Sequence, residues 1–340
     1  MKAFRIDEPG KYSFIEIPKP VPKKGEVLVK IARLGFCGSD MNIWRGLNPL
    51  VKYPRIIGHE ISGEIEEVTS GVPDIYKPGM RVTVIPYTNC GTCAACRVKK
   101  ANACKDNQTL GVQRDGASTE YISVPWEKLV YSSKLSHDEL VLLEPLSVGF
   151  HAVKRGKVTK NEYVAVFGCG MIGLGALLGA SAHTGNVIAI DIAEDKLKIA
   201  GKMGAAYTIN PSKQDVHDSL VEITGGFGPD IVIEAAGSPV AYLQTVSEVA
   251  FAGRIVYIGY VKEDISFSTK LFVMKELDIH GSRNADIEDL IDVMKILEEN
   301  RVSTESLITR KVPFLKAGEA LAEWSENPSK FVKIIIDLQK

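Results

Sequence analysis

Several things this 340-residue chain lacks narrow its function before any motif is read. Its charge is nearly balanced, 41 basic residues against 42 acidic ones, for a net of −1. Nucleic-acid binding and polybasic membrane binding both draw on a charge excess, so neither is expected. There is no long apolar run either. The most apolar stretch, Met171 to Ala182, is too short and too rich in glycine to span a bilayer. The opening Met1-Lys2-Ala3-Phe4-Arg5 lacks the apolar core of a signal peptide and runs into a turn at Glu8-Pro9-Gly10, which implies a cytoplasmic protein. No internal repeat or low-complexity linker is visible. Cysteine is scarce at six residues, yet Cys90, Cys93, Cys96 and Cys104 fall within 15 positions. In a reducing compartment such a cluster reads as metal ligands rather than disulfides.

What is present reads as two domains, since the length exceeds the usual ceiling for one hydrophobic core. Residues 1–150 carry short strand-like segments, such as Val27 to Ile31, Gly63 to Val68 and Arg81 to Ile85, punctuated by Pro20, Pro22, Pro54, Pro73, Pro78 and Pro86. This is a β-rich, barrel-like domain, with the cysteine lobe at 88–105. Residues 151–284 alternate short buried strands with helices. The strands are expected at Val164 to Phe167, Val187 to Ile190, Tyr207 to Ile209, Ile231 to Ile233, Ile255 to Ile258 and Leu277 to His280. The helices between them are expected at Met171 to Ala182, Glu194 to Met203, Lys213 to Thr224 and Val240 to Ala250. Such alternation predicts an α/β, doubly wound parallel sheet. Residues 285–340, with a helix at Asp286 to Glu299 and a closing strand at Phe331 to Asp337, are expected to return to the first domain.

Three constellations carry chemistry. Gly168-Cys169-Gly170-Met171-Ile172-Gly173 follows a predicted strand and opens a predicted helix, the context in which a G-x-G-x-x-G motif holds a dinucleotide pyrophosphate at a helix amino terminus. Asp191 ends the next strand, where an acid accepts bonds from the adenosine ribose hydroxyls and repels a 2′-phosphate, favouring NAD over NADP. Its alternative is a helix N-terminal residue. The four cysteines, spaced x2, x2 and x7, match a closed tetrahedral structural zinc site.

The third constellation is Gly58-His59-Glu60, an imidazole and a carboxylate set among Ile56, Ile57 and Ile61. Buried charge of this kind is costly unless it binds something. Together with Cys37 it offers sulfur, nitrogen and oxygen from separated segments, as open catalytic zinc sites do. Glu144, in Leu143-Glu144-Pro145-Leu146-Ser147, is a candidate fourth or water-mediated ligand, or else a helix-start acid with Pro145 in the first turn.

In order along the chain, Cys37-Gly38-Ser39-Asp40, Gly58-His59-Glu60, the cysteine lobe, Glu144-Pro145-Leu146-Ser147-Val148-Gly149 and the glycine-rich loop resemble the zinc-dependent medium-chain alcohol dehydrogenases, in their polyol, sorbitol dehydrogenase-like branch. The resemblance implies a GroES-like catalytic domain plus an NAD-binding Rossmann domain, two zinc ions per chain, and a homo-oligomer, tetramer or dimer. It also implies oxidation of a secondary alcohol by hydride transfer to NAD, with the catalytic zinc on Cys37, His59, Glu60 and Glu144 and with Ser39 accepting the hydroxyl proton. Trp44 to Pro49, Lys52 to Arg55 and Gly281 to Ala285 resemble bacterial enzymes of the L-galactonate or L-gulonate 5-dehydrogenase type. On that likeness Arg45 and Arg283 are candidates for gripping a sugar-acid carboxylate, against the alternative of solvated or ion-paired surface arginines. A dehydrogenase of neutral polyols or inositols, and a non-catalytic NAD-binding sensor, are the competing functions. One departure from the family pattern is Asn42, which stands where many members carry a histidine that relays the alcohol proton.

Overall fold

The computed structural model describes residues 1–339 of the chain. These divide into two compact units, one of residues 1–144, 286–299 and 304 onward, the other of residues 145–285 and 300–303.

The strands in chain order are β1 (Lys2–Glu8), β2 (Lys11–Glu16), β3 (Glu26–Phe36), β4 (Arg55–Ile56), β5 (Glu60–Val68), β6 (Arg81–Val84), β7 (Tyr121–Pro125) and β8 (Leu129–Tyr131), then β9 (Val164–Phe167), β10 (Val187–Ile190), β11 (Tyr207–Ile209), β12 (Ile231–Glu234), β13 (Arg254–Tyr257) and β14 (Asp278–Gly281), and finally β15 (Ile308–Pro313) and β16 (Lys333–Asp337).

In the first unit β3 is the axis. It is long, rich in valine, leucine and isoleucine, and buried along most of its length. Antiparallel to it run β5, β7 and β16, giving a sheet of order β15-β16-β3-β5-β6-β8 with β7 also on β3. A smaller sheet, β2-β1-β4, lies in the same unit. Phe4, Phe36, Ile31, Leu34, Ile61, Ile334, Ile336, Leu321 and Trp324 form its core. Irregular pairing between β3 and β5 at Leu28/Val29 and again at Ile31/Arg33 resets the register, so that Gly35 faces Glu60 at the far end.

The second unit is a six-stranded, all-parallel sheet in the order β11-β10-β9-β12-β13-β14. Every residue of β9, β10 and β12 is buried, as strands covered on both faces must be, which is why they read as unbroken apolar runs. Helix boundaries differ from expectation where caps decide them. The helix expected from Lys213 begins at Val216 because the Asp215 carboxylate accepts the Asp218 N–H. The helix expected from Val240 begins one residue earlier, at Pro239, capped by Ser238. Two further helices, Leu143–Gly156 and Thr269–Met274, stand outside the expected set. The first places Glu144 and Pro145 in its opening turn.

Candidate active site and metal centres

The pairing of β3 with β5 assembles the first site. Cys37 follows the last residue of β3 and caps the short helix Gly38–Trp44, while His59 and Glu60 enter β5 opposite Gly35. One ligand atom each from Cys37, His59 and Glu60 lies within 4.8 Å of the other two. His59 and Glu60 are buried, with 5% and 0% of their surface exposed. Asp40, equally buried, ties the two ligand segments together: Oδ2 accepts the Cys37 N–H at 2.9 Å and Oδ1 the Gly58 N–H at 3.3 Å. Its carboxyl is raised by burial, with the His59 imidazole opposing.

The electrostatics of this cluster suit a cation. Burial alone would push the His59 imidazole down, but the Cys37 sulfur and the carboxylates of Asp40 and Glu144 outweigh it and hold the group well above its usual value. Nδ1 of His59 and Oγ of Ser39 are buried without a hydrogen-bond partner. Orphaned buried polar atoms are rare and point to a group that completes them. A thiolate, an imidazole and a carboxylate are the donor types of a catalytic zinc, so the residues present fit that metal.

Two partners of the site were not evident in the sequence. The ammonium of Lys333, on β16, is buried and lies 2.7 and 2.6 Å from the two oxygens of Glu60, and it also donates to Phe36 O at 3.0 Å. A metal that takes Glu60 as ligand therefore competes with this ammonium for the same oxygens. The second partner is the buried Tyr87, whose hydroxyl donates to Oε1 of Glu144. Burial, and next the Glu144 charge, raise that phenol well above its ordinary value. Glu144 itself is raised by burial and by Glu60, with His59 opposing. It is not a member of the three-residue cluster.

The four-cysteine lobe folds on a short helix, Ala94–Arg97, and a 3₁₀ turn, Ala101–Ala103. All four thiols are free of disulfides and lie together. Sγ separations are 3.5 Å for Cys93 to Cys96, 3.6 Å for Cys104 to Cys90 and 3.9 Å for Cys93 to Cys104. A tetrahedron of Zn–S bonds of about 2.3 Å has edges of roughly 3.8 Å, so this geometry fits a closed zinc site. Backbone N–H groups already point at the sulfurs, with Cys93 N–H 3.3 Å from the Cys90 sulfur and Cys90 N–H 3.3 Å from that of Cys104.

In the second unit, Gly168 to Gly173 join β9 to the helix Met171–Ser181. Gly168 has φ +91°, and a Cβ there would meet the backbone of Ala236 at 2.7 Å; a Cβ at Gly173 would lie 1.8 Å from the Gly168 carbonyl. Gly170 caps the helix and faces open space, so the first amides of the helix are accessible to a phosphate. Met171 is buried and Ile172 half-buried at this turn. Asp191, just after β10, accepts the Cys169 N–H at 2.7 Å and the Ala193 N–H at 2.8 Å. Its carboxylate is thereby locked beside the glycine-rich loop. The Cys169 thiol is buried and pushed up by that burial, as a packing residue.

The two arginines named for the substrate are placed differently. Arg45 donates from Nε to Ser325 Oγ at 2.9 Å and from Nη2 to the Ser325 carbonyl, so its guanidinium is engaged with the end of the helix Ala317–Glu326. Arg283 is exposed, just beyond β14. Asn42 lies in the short helix after Cys37.

Comparison with known proteins agrees with this arrangement. Residues 23–134 match the alcohol dehydrogenase GroES-like domain and residues 172–299 the zinc-binding dehydrogenase model. An uncharacterised zinc-type alcohol dehydrogenase-like protein of Haemophilus influenzae is 34% identical over 98% of both chains. The L-galactonate-5-dehydrogenase of Escherichia coli is 33% identical over 93% of both. Among solved structures, the alcohol dehydrogenase RspB of E. coli CFT073, complexed with the cofactor NADH, superposes with a TM-score of 0.91 at 33% identity over 99% of both chains. The two metal centres, the dinucleotide loop and these matches lead to one assignment: the chain belongs to the zinc-dependent medium-chain alcohol dehydrogenases.

Proposed function

We propose that the protein oxidises a secondary alcohol of a sugar acid, a hexonate of the L-galactonate or L-gulonate kind, using NAD. The observation that carries the reading is the cluster of Cys37, His59 and Glu60 beside a buried, unpartnered Ser39 hydroxyl. When bound, zinc on these residues supplies Lewis-acid polarisation of the substrate hydroxyl. The chain's own residues do the rest. Ser39 Oγ, whose bonding capacity is unspent, accepts the hydroxyl proton through a hydrogen bond while its own proton leaves toward bulk water. Asp40 keeps the Cys37 and His59 segments in register, and Lys333 holds the Glu60 carboxylate in place. Tyr87 orients Glu144, leaving that residue as an outer acid rather than a tight ligand. Asn42 is a neutral amide and takes no part in proton release. Asp191, locked by two backbone amides, presents its remaining lone pairs to a ribose diol and selects NAD over NADP.

Likeness to the L-galactonate-5-dehydrogenase of E. coli supports a carboxylate-bearing substrate. The engagement of Arg45 with Ser325 favours the second reading, a neutral polyol, because the Arg45 guanidinium is already occupied by the protein's own backbone and side chain. Initial rates of NAD reduction on hexonates, sorbitol, xylitol and inositol decide between them. A kcat/KM at least tenfold higher on one hexonate supports the sugar acid; equal or higher values on the neutral polyols replace it. No reduction on any alcohol, with one zinc per chain, leaves a non-catalytic NAD-binding sensor.

A further inference from the structure

Glu234 ends β12 and stands in register with Phe167, the last residue of β9. In this sheet β10 and β11 lie to one side of β9, and β12, β13 and β14 to the other. The β9/β12 boundary is therefore the point where strand order reverses, and a dinucleotide binds in the crevice outside the carboxyl ends of the strands there. The glycine-rich loop after β9 and Asp191 after β10 serve the adenosine half. The loops after β12 and β13, residues 235–238 and 258–260, are left for the nicotinamide half.

Those loops converge on the Glu234 carboxylate, which is 0% exposed. Oε1 accepts the N–H of Ala236 at 3.0 Å and of Gly237 at 2.7 Å. Oε2 is buried and has no partner. The chain at Gly259 passes so close that a Cβ there would lie 2.5 Å from Oε2 and 2.6 Å from the Gly237 nitrogen. The Glu234 carbonyl takes the Ile258 N–H at 2.9 Å, and Tyr242 donates its hydroxyl to the Gly259 carbonyl at 2.5 Å. One side chain thus sits under both loops, with a carboxylate oxygen left over, in a crevice built for a ligand.

We propose that Glu234 is the positioning residue of the nicotinamide half of the dinucleotide site: its ionised carboxylate holds loops 235–238 and 258–260 in the receiving conformation, making cofactor affinity depend on pH. The inference rests on the dinucleotide reading above. Hydrogen bonds to an ionised acceptor are roughly twice as strong as neutral ones, so protonation slackens the latch, and it also turns Oε2 into a donor in need of an acceptor. Burial pushes this carboxyl up to about 7, against the pull of the backbone amides of Gly237, Ala236, Ser238 and Gly259. The titratable groups that face it are tyrosines: Tyr242 on the helix Pro239–Glu248, pushed up to about 12 by burial and by Glu234, Tyr257 on β13, also raised, and Tyr260 beyond it. The tyrosines that burial raises stay neutral around pH 7, leaving Glu234 as the group of this cluster that changes charge there.

The test uses the zinc-loaded enzyme, with NADH binding followed by nicotinamide fluorescence and ADP-ribose binding by calorimetry, from pH 6 to pH 8. If only the ionised form receives the nicotinamide half, the competent fraction rises from about 0.09 to about 0.91, and the wild-type Kd for NADH tightens about tenfold. ADP-ribose, which lacks the nicotinamide, binds equally across the range. Glu234→Gln makes NADH binding flat with pH and about tenfold weaker at pH 8, with ADP-ribose unchanged. Glu234→Asp, which keeps the charge on a shorter arm, binds NADH more weakly but retains the pH dependence. An NADH affinity of Glu234→Gln equal to wild type at pH 8, or a parallel loss for ADP-ribose, overturns the proposal. Failure of the wild type to bind either ligand sinks the dinucleotide reading itself, and this inference with it.

Discussion

At the scale of single residues, the chemistry depends on charges taken out of water. The Lys333–Glu60 pair is the clearest case, with both side chains essentially without exposure. Removing one partner of a buried pair leaves an uncompensated charge and costs about 3–5 kcal/mol. Lys333→Met should therefore lower the unfolding free energy measured in urea by about that much, and adding Glu60→Gln should restore part of the loss; a single-variant loss below about 1 kcal/mol contradicts the assignment. Lys333 escapes a sequence reading because it stands in a strand whose five residues are all buried, where an isolated lysine has no visible partner until β16 pairs with β3. Glu234 yields a prediction with the opposite sign. Its carboxyl is raised by burial from 4.5 to about 7, so the native state binds a proton that the unfolded chain has lost. The stabilisation tied to that proton is complete below about pH 4.5 and disappears as the pH rises through about 7, amounting to about 3 kcal/mol. Unfolding followed at pH 5 and pH 8 should show this loss in the wild type and a much smaller one in Glu234→Gln; identical slopes would refute it.

At the scale of elements, local spacing proved more informative than long-range pairing. The cysteine lobe is legible because all its ligands lie within 15 residues, and the structure places the thiols within 3.5–3.9 Å of one another along the measured edges. Its two helical pieces are four and three residues long, too short to persist without a fixing centre. Chelation that strips this zinc should open the lobe to proteolysis at Lys99, Lys100 or Lys105 while the second unit stays protected, and Cys104→Ser should be cut without chelator; equal resistance with and without metal contradicts a structural zinc. Of the six strands of the parallel sheet, β11 and β14 at the two edges are largely exposed, whereas β9, β10 and β12 were legible as buried apolar runs. The helix Leu143–Gly156 was less so, because Pro145, which is well placed in a first turn, also reads as a break. At the end of β10, Asp191→Ser should raise kcat/KM for NADP at least tenfold by removing the repulsion of a 2′-phosphate, as steady-state rates with both cofactors would reveal.

At the scale of the whole molecule, motif order along the chain carries the family, and the two-unit division follows from composition: turn-punctuated strands first, strand–helix alternation second. What stays illegible is whatever depends on contacts between distant segments. Tyr87 and Glu144, 57 positions apart, and Glu60 and Lys333, 273 apart, meet only once the first unit has folded. The same holds for Arg45, whose hold on Ser325 spans 280 positions. Among the described residues no helix is long and apolar enough to cross a membrane. On the reading proposed above, Cys37, His59 and Glu60 hold a zinc on which alcohol oxidation depends, separate from the zinc of the cysteine lobe. Metal content per chain, measured alongside NAD reduction in the wild type and in Cys37→Ser, separates the two centres. Two zinc ions and turnover are expected in the wild type, against one zinc, an intact fold and at least a thousandfold lower rate in the variant; a variant that keeps two zinc ions, or keeps its rate, would show that Cys37 does not hold a catalytic metal.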